Sequence, residues 1–203
     1  MLVLRLIIVA AIAYCLGGAN GAILVSKLFH HEDVRSHGSG NAGLTNFFRT
    51  YGGGLTLAVI AVDMIKTILA CYIGKWILGT DAGMMFAGLC ATLGHVFPVF
   101  FGFRGGKGIM CGVSVAFAMD WRIAVCLIVL FAVIVALTRY VSLGSVLCAA
   151  VFPFLFLVFF RGNWWVFGLA LALGLVAIIM HRGNIQRLVK GTERKLSFRK
   201  KNS

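Results

Sequence analysis

Acids are scarce in this sequence: 203 residues carry six Asp and Glu against 19 Lys and Arg. Charge of either sign is also scarce, at 12% of the chain, while 61% is hydrophobic. That balance excludes a soluble single domain and indicates a polytopic membrane protein. The six cysteines (Cys15, Cys71, Cys90, Cys111, Cys126, Cys148) include no CxxC and lie mostly within apolar runs. They read as small core or lipid-facing residues, neither a disulfide framework nor a metal site. There is no repeat, linker or low-complexity tract, so residues 1–203 are expected to form one membrane-embedded domain. The cations are spread between the hydrophobic runs and the C-terminal tail, which argues against nucleic-acid binding. In a membrane protein their excess is first a topology signal.

What is present is a series of apolar segments, roughly 4–27, 53–78, 83–101, 109–119, 123–138, 140–160 and 163–180. Each is expected to be helical, because lipid offers the backbone no open alternative. The N-terminal run imitates a signal peptide, but apolar character resumes at Ala22 and further spans follow, so a retained first helix is expected. Segment 109–119 is short, at about 16 Å for a core of ~30 Å, and alternatively begins one long helix running through Asp120-Trp121-Arg122. Charge favours seven spans. The loop after the first span, the loop at 102–108, the Arg139 junction and the tail then share one face, which holds most of the cations, including Arg199, Lys200 and Lys201. The positive-inside tendency places that face in the cytoplasm, with the C-terminus there and the N-terminus outside. The fold expected is all-α, with seven transmembrane helices.

Four polar clusters share that face, at about 28–52, 102–109 (with Gly94-His95 before it), 139–145 and 181–195. All are made of glycine, hydroxyl, amide and cationic side chains, with acids nearly absent. That composition suits phosphate: backbone N–H groups and Lys or Arg supply positive potential, and hydroxyls and amides complete the oxygen shell. The soluble motifs fail on context. Gly38-Ser-Gly-Asn-Ala-Gly43 fits GxGxxG, but no strand precedes it, and Asp63 falls within a hydrophobic span. Gly102-x-x-x-Gly106-Lys107-Gly108 is one residue short of a P-loop. Each cluster alone also has a plain structural reading as a turn between helices, His95 as an interfacial anchor, and Asp63 with Lys66 as an intramembrane ion pair facing the bundle interior. It is their convergence on one face that favours a site.

The runs DVRxxGSGNxGxTNxxR (Asp33–Arg49), GHxFPxFxxFRGGKG (Gly94–Gly108), RxxSLxS (Arg139–Ser145) and HRxNIxRLxxGxE (His181–Glu193) resemble the PlsY-type acyl-phosphate:glycerol-3-phosphate acyltransferases of bacteria, in order and spacing. The resemblance implies a multi-pass enzyme of the bacterial inner (plasma) membrane with its active site on the cytoplasmic side. It would transfer an acyl group from acyl-phosphate to the 1-hydroxyl of glycerol 3-phosphate, giving lysophosphatidic acid and phosphate, the first step of phospholipid biosynthesis. Neither acyl-CoA nor a cofactor or metal is implied, and coupling to an acyl-phosphate-forming enzyme is. Carried over by motif, the catalytic residues are Ser39, Arg49, Lys107, His181 and Asn184. The substrate- and phosphate-binding residues are Gly38, Gly40, Asn41, Gly43, Thr45, Asn46, His95, Arg104, Gly105, Gly106 and Ser142. Leu44 stands where the family usually has Ala, Arg104 where Lys is common, and Gly17-Gly-Ala-Asn-Gly21 replaces a Gly-Ser-Ile-Pro pattern.

No HxxxxD pairing of the acyl-CoA-dependent kind is present, and the fifth residue after His181 is Gln186. With a good leaving group on the donor, holding two phosphates and a carbonyl in line is the main task expected of the protein. The rival reading is a small organic-phosphate transporter. Such proteins place polar groups near mid-membrane and show repeated halves, whereas here only Asp63 and Lys66 are deep.

Overall fold

The computed structural model describes residues 1–196; Arg199, Lys200 and Lys201 of the tail lie outside the described residues. Among the described residues the secondary structure is α-helical, with two short 3-10 turns at Val34–Ser36 and Val99–Phe101. The helices are α1 (Leu2–Gly18), α2 (Gly21–Phe29), α3 (Leu44–Tyr51), α4 (Thr56–Leu78), α5 (Asp81–Val96), α6 (Ile109–Met119), α7 (Trp121–Thr138), α8 (Val141–Phe159), α9 (Trp164–Met180) and α10 (Arg182–Val189). The chain is thus all-α, as expected, and the apolar segments are helical close to the anticipated bounds.

The first segment differs from the expected single run. It breaks at Ala19-Asn20 and bends by 40° into α2. A break at apolar depth strands the last carbonyls of one helix and the first N–H groups of the next, and these need partners inside the protein. α4 supplies them. Lys66 Nζ donates to Ala19 O at 2.9 Å, and Asp63 Oδ1 accepts from Gly21 N at 3.0 Å. Asn20 adds the N-cap, its Oδ1 accepting from Ile23 N at 3.1 Å. Each charge suits the helix end it meets: cation at a C-terminus, anion at an N-terminus. Lys66 and Asp63 also pair with each other at 2.7 Å, at 6% and 1% exposure.

Among the described residues, four helices are long and apolar enough to cross a membrane, or up to six if each bent pair, α1 with α2 and α9 with α10, counts as one span. α6 is the remaining apolar helix, with 11 residues and a rise of about 16 Å. It is not the first half of α7. Asp120 is extended (φ −160°, ψ 113°) and caps the next helix, accepting from Arg122 N at 2.9 Å. Inside the two polar segments lie helices that the sequence pattern does not announce, α3 and α10, the latter turned by 58° from α9.

α5 is the centre of the bundle. It packs against α1 and α4 on one side and α9 on another, while α7 and α8 complete the rim. One core cluster joins Met84 and Met85 of α5 to Val115, Phe152, Phe156 and Leu173. Lipid gives helices little hydrophobic reason to associate, so close backbone approach through small residues matters. At the α1–α5 crossing a Cβ on Gly94 would lie 2.1 Å from Tyr14 O and 3.0 Å from Gly18 N, both rigid backbone atoms.

Gly94→Ala is therefore expected to force α1 and α5 apart at a cost of about 1–3 kcal/mol. At Gly168 of α9 an added Cβ would meet nothing within 4 Å, so Gly168→Ala is the matched control. Thermal unfolding in detergent should show a lower Tm for the first variant and an unchanged or higher Tm for the second. Equal Tm values for the two would show that the crossing tolerates separation.

Candidate functional site

The four polar segments come together at one end of the bundle around a cavity of about 970 Å³. Its mouth is polar, lined by Ser39, Asn41, Thr45, Arg49, Lys107, Ser142, His181, Asn184, Arg187 and Glu193. From there an apolar limb runs between α6, α7, α8 and α9, past Phe117, Leu127, Phe131, Ala149, Phe152 and Leu173.

The mouth is positive for two separate reasons. Four helices begin at it: Gly43 to Thr45 at the start of α3, Gly108 to Met110 at α6, Val141 and Ser142 at α8, and Arg182 to Asn184 at α10 all line the cavity. Their unpaired first-turn N–H groups and the partial positive charge of each terminus make a ready anion site. Side-chain cations add to it. Burial, then the nearby Arg187 and Arg49, lower the pKa of Lys107 below the ordinary lysine range. Crowded, partly desolvated cations of this kind are stabilised by a bound anion.

The loops are held rigidly. Gly38 takes φ +60°, and a Cβ there would lie 2.3 Å from Asn46 Oδ1. Asn46 is buried and fully used: its Oδ1 accepts from Ser39 N (2.9 Å) and Ser39 Oγ (3.2 Å), and its Nδ2 donates to Val34 O and His37 O. Asn46 therefore shapes the loop and has no amide group left over for phosphate. Arg35 ties this loop to the next, forking onto Asp33 and donating from one terminal nitrogen to Phe101 O (2.6 Å) and Arg104 O (2.9 Å). The hydrogen bond from Arg35, acting against burial, holds Asp33 below the usual carboxylate range. Ala42 N also donates to Gly105 O at 3.4 Å.

Of the sixteen residues singled out by sequence, twelve line the cavity: Gly38, Ser39, Asn41, Gly43, Thr45, Asn46, Arg49, His95, Lys107, Ser142, His181 and Asn184. Gly40, Arg104, Gly105 and Gly106 do not. Gly105 and Gly106 pack beneath the loop, where a Cβ would lie 1.9 Å from His95 O or 2.1 Å from His95 Nε2. That packing parts the two cations of the turn: Lys107 reaches into the cavity, its Nζ donating to Asn184 Oδ1, while Arg104 is exposed outside it. Arg104, expected among the phosphate-binding residues, thus stands outside the cavity that Lys107 enters, and one phosphate does not meet both.

Glu193 was not among those sixteen, although it organises the mouth. Its Oε1 accepts from Ser142 Oγ (2.8 Å) and Asn184 Nδ2 (2.7 Å), and its Oε2 from Arg187 Nε (2.6 Å). It thus clasps the extended segment after α10 to α8. Burial alone would raise its pKa, but the bonds from Asn184, Ser142 and Arg187 bring it below the ordinary value of 4.5. The signal was available in sequence: it is the only acid after Asp120.

The sequence model of the family described as "Glycerol-3-phosphate acyltransferase" matches residues 7–191. A glycerol-3-phosphate acyltransferase of Finegoldia magna is 38% identical over 194 residues, 95% of this chain and 97% of that one. Another, from a Thermoanaerobacter species, is 39% identical over 94% of this chain and 95% of its own length. The crystal structure of PlsY, an integral membrane glycerol 3-phosphate acyltransferase, in its glycerol 3-phosphate form superposes with a TM-score of 0.87 at 34% identity, covering 95% and 96% of the two chains. Its lysophosphatidic acid form gives 0.85.

The depressed pKa of Glu193 means that the clasp is fully formed above the unfolded glutamate value and is lost only as pH falls through the folded one. Glu193→Gln mimics that protonated state at neutral pH. Losing charged hydrogen bonds worth about 1.5–3 kcal/mol each should speed tryptic cleavage in segment 182–196 about tenfold or more. Cleavage at the parent rate in the variant would show that the segment is held by something other than this carboxylate.

Proposed function

The chain belongs to the glycerol-3-phosphate acyltransferase family of integral membrane enzymes, and we propose that its acyl donor is acyl-phosphate. The acceptor is the 1-hydroxyl of glycerol 3-phosphate, and the products are lysophosphatidic acid and inorganic phosphate, the first step of bacterial phospholipid synthesis. The observation that carries this reading is the two-ended cavity, cationic at the mouth and apolar along its limb. A phosphate-bearing molecule with a fatty chain needs both ends, and so does an acyl-phosphate donor.

The acceptor oxygen attacks the acyl carbon, the bond from that carbon to the phosphate oxygen breaks, and the hydroxyl proton has to leave. Two carboxylates line the cavity, and neither is free to take it. Asp63 is engaged by Lys66 and Gly21 N, and Glu193 by Ser142, Asn184 and Arg187. In this reading an oxygen of the departing phosphate takes the proton, which leaves with the product phosphate. The protein's contribution is to hold the reactants in line and to stabilise developing charge through Lys107, Arg49 and the convergent helix N-termini. Ser39, Asn41, Thr45, Ser142 and Asn184 supply oriented hydrogen-bonding groups at the mouth, and His181 is buried beside them.

Seven crossings follow if the bent α1–α2 pair counts once and α6 crosses as a short helix. What supports this is that the segments before α3, before α6, before α8 and after α9 all gather at the one mouth, so α6 leaves that end and α7 returns to it. With most cations at that end, the mouth faces the cytoplasm of a bacterial inner membrane and the N-terminus lies outside. A reporter fused at the C-terminus should be active only when cytoplasmic. A fusion active only after export would overturn the orientation.

Purified protein in detergent should release phosphate from palmitoyl-phosphate with glycerol 3-phosphate, and should give no product when palmitoyl-CoA replaces the donor. A contact that strengthens as the phosphate leaves appears in kcat, and simple capture appears in KM. Lys107→Ala is expected to lower kcat about 10²-fold or more, in the range of a lost oxyanion donor. Arg104→Lys, outside the cavity, should stay within about threefold of the parent, the scale of a surface change of about ±0.5 kcal/mol. Turnover with acyl-CoA alone would reject the donor, and a dead Arg104→Lys beside an active Lys107→Ala would reverse the roles of the two cations.

A further inference from the structure

His95 is 3% exposed, yet it lines the deep wall of the cavity. Its Nδ1 faces inward, 3.1 Å from Lys66 Nζ and 3.4 Å from Asn20 Nδ2. The direction of both bonds follows from the other partners of each group. Lys66 has three N–H donors and no acceptor, and three oxygen or nitrogen atoms surround it: Ala19 O, Asp63 Oδ1 and His95 Nδ1. Asn20 is oriented by the backbone at both ends of its amide. Its Oδ1 accepts from Ile23 N and its Nδ2 donates to Ala42 O at 3.0 Å. Two donors therefore point at Nδ1, which must present its lone pair. Asp63 Oδ1 lies farther away, at 3.5 Å, and is already taken by Lys66 and Gly21 N.

We infer that Lys66, Asp63 and Asn20 are positioning residues that hold His95 as its neutral Nε2–H tautomer, a hydrogen-bond donor facing the glycine loop and the cavity. A neutral imidazole with one nitrogen accepting must carry its proton on the other. The Cys111 thiol of α6 also reaches the ring, and Nε2 lies against Gly106, where a Cβ would come within 2.1 Å of it. Only a residue without a side chain leaves room for Nε2–H to reach a ligand atom there. The arrangement resembles the outer partners that fix a metal-bound histidine, with the difference that two donors set the tautomer here. His95 is thereby barred from acting as a base through Nδ1 and is held as an uncharged donor. That this donor meets a substrate phosphate oxygen rests on the acyltransferase reading; the tautomer itself does not.

The charged and titratable groups facing the ring are Asp63 and Lys66 on α4 and the Cys111 thiol on α6; the Lys107 ammonium turns away to Asn184. The test is NMR of protein labelled with ¹⁵N-histidine in detergent micelles, with His95→Gln assigning the signal. The expected spectrum shows a bare Nδ1 and a protonated Nε2 for His95 at pH 8 and still at pH 5.5. A proton on Nδ1 or a doubly protonated ring at pH 7 overturns the inference. The double variant Lys66→Met with Asp63→Asn removes both charges at nearly constant volume, and thermal unfolding checks that it folds. In it the donor that fixes Nδ1 and the charges around it are gone, so the ring is free to take a second proton and about tenfold of kcat is lost between pH 7.5 and 5.5 beyond any loss in the parent. A folded double variant that keeps the parent's tautomer and pH profile also overturns it. If that variant does not fold, the parent spectrum alone decides. A parent protein with the expected spectrum and no turnover refutes the acyltransferase reading and leaves the tautomer standing.

Discussion

The Asp63–Lys66 pair is the interaction on which the arrangement depends. A broken helix at apolar depth has no water to satisfy its ends, so its orphaned groups must be met by the protein. One carboxylate and one ammonium, three residues apart on α4, meet both ends at Ala19 and Gly21. A buried ion pair of this kind contributes little net stability over an apolar replacement, but removing one partner leaves an uncompensated charge and is severe. Its value here is geometric. The break directs α2 outward, α2 starts the first glycine loop, and Asn20 at the break holds Ala42 of that loop and faces His95. His95 O in turn accepts from Gly106 N at 3.1 Å. A chain of contacts therefore runs from mid-bundle charge to both glycine loops.

At the mouth the logic is inverted: positive charge is concentrated and barely neutralised. Four helix N-termini and the side chains of Arg49, Lys107, Arg187 and Arg194 line one opening, and the only carboxylate among them near the surface is Glu193. Burial first, and then repulsion from Arg187 and Arg49, make Lys107 give up its proton more readily than an ordinary lysine. Glu193 is placed so that its charge is spent on organising α8, α10 and the segment beyond, leaving the cationic field over the opening intact.

Much of this was legible in the sequence, and what was not has identifiable causes. Helices in the apolar runs could be read because lipid permits nothing else. The break at Ala19-Asn20 could not, because the run stays apolar through it and the residues that stabilise it lie more than forty positions away on α4. α3 and α10 were hidden for the opposite reason: each has eight residues and is polar enough to pass for loop. Arg104 and Lys107 flank the same two glycines, so the motif put both at the phosphate although it gave only Lys107 a catalytic role. Only the packing of Gly105 and Gly106 under His95 sends one side chain into the cavity and the other out. Asn46 shares its motif with residues at the mouth, yet its amide is consumed by the loop's own backbone. A motif shows which residues gather in space; which of them faces the ligand is decided by hydrogen-bond saturation and by backbone approach.

The short α6 connects the membrane architecture to the chemistry. A helix of 11 residues rises about 16 Å, roughly half of a hydrocarbon core. If α6 crosses the bundle, at least one of its ends lies below the level of the lipid head groups, and its N-terminus is the end that carries Lys107 and Gly108 into the cavity. The phosphate site is then sunk toward the depth at which a membrane-borne acyl donor presents its own head group, and the apolar limb beside α6 continues from it. On the proposed reaction, the polar loops above are the side open to the water-soluble acceptor. Non-helical backbone is tolerated at that depth only where it is buried in protein or lines a cavity. The glycine loops meet that condition, because their carbonyls and N–H groups are tied to His95, Arg35 and one another. The same bonds that make a buried loop permissible therefore also fix the positions of the groups that would hold phosphate.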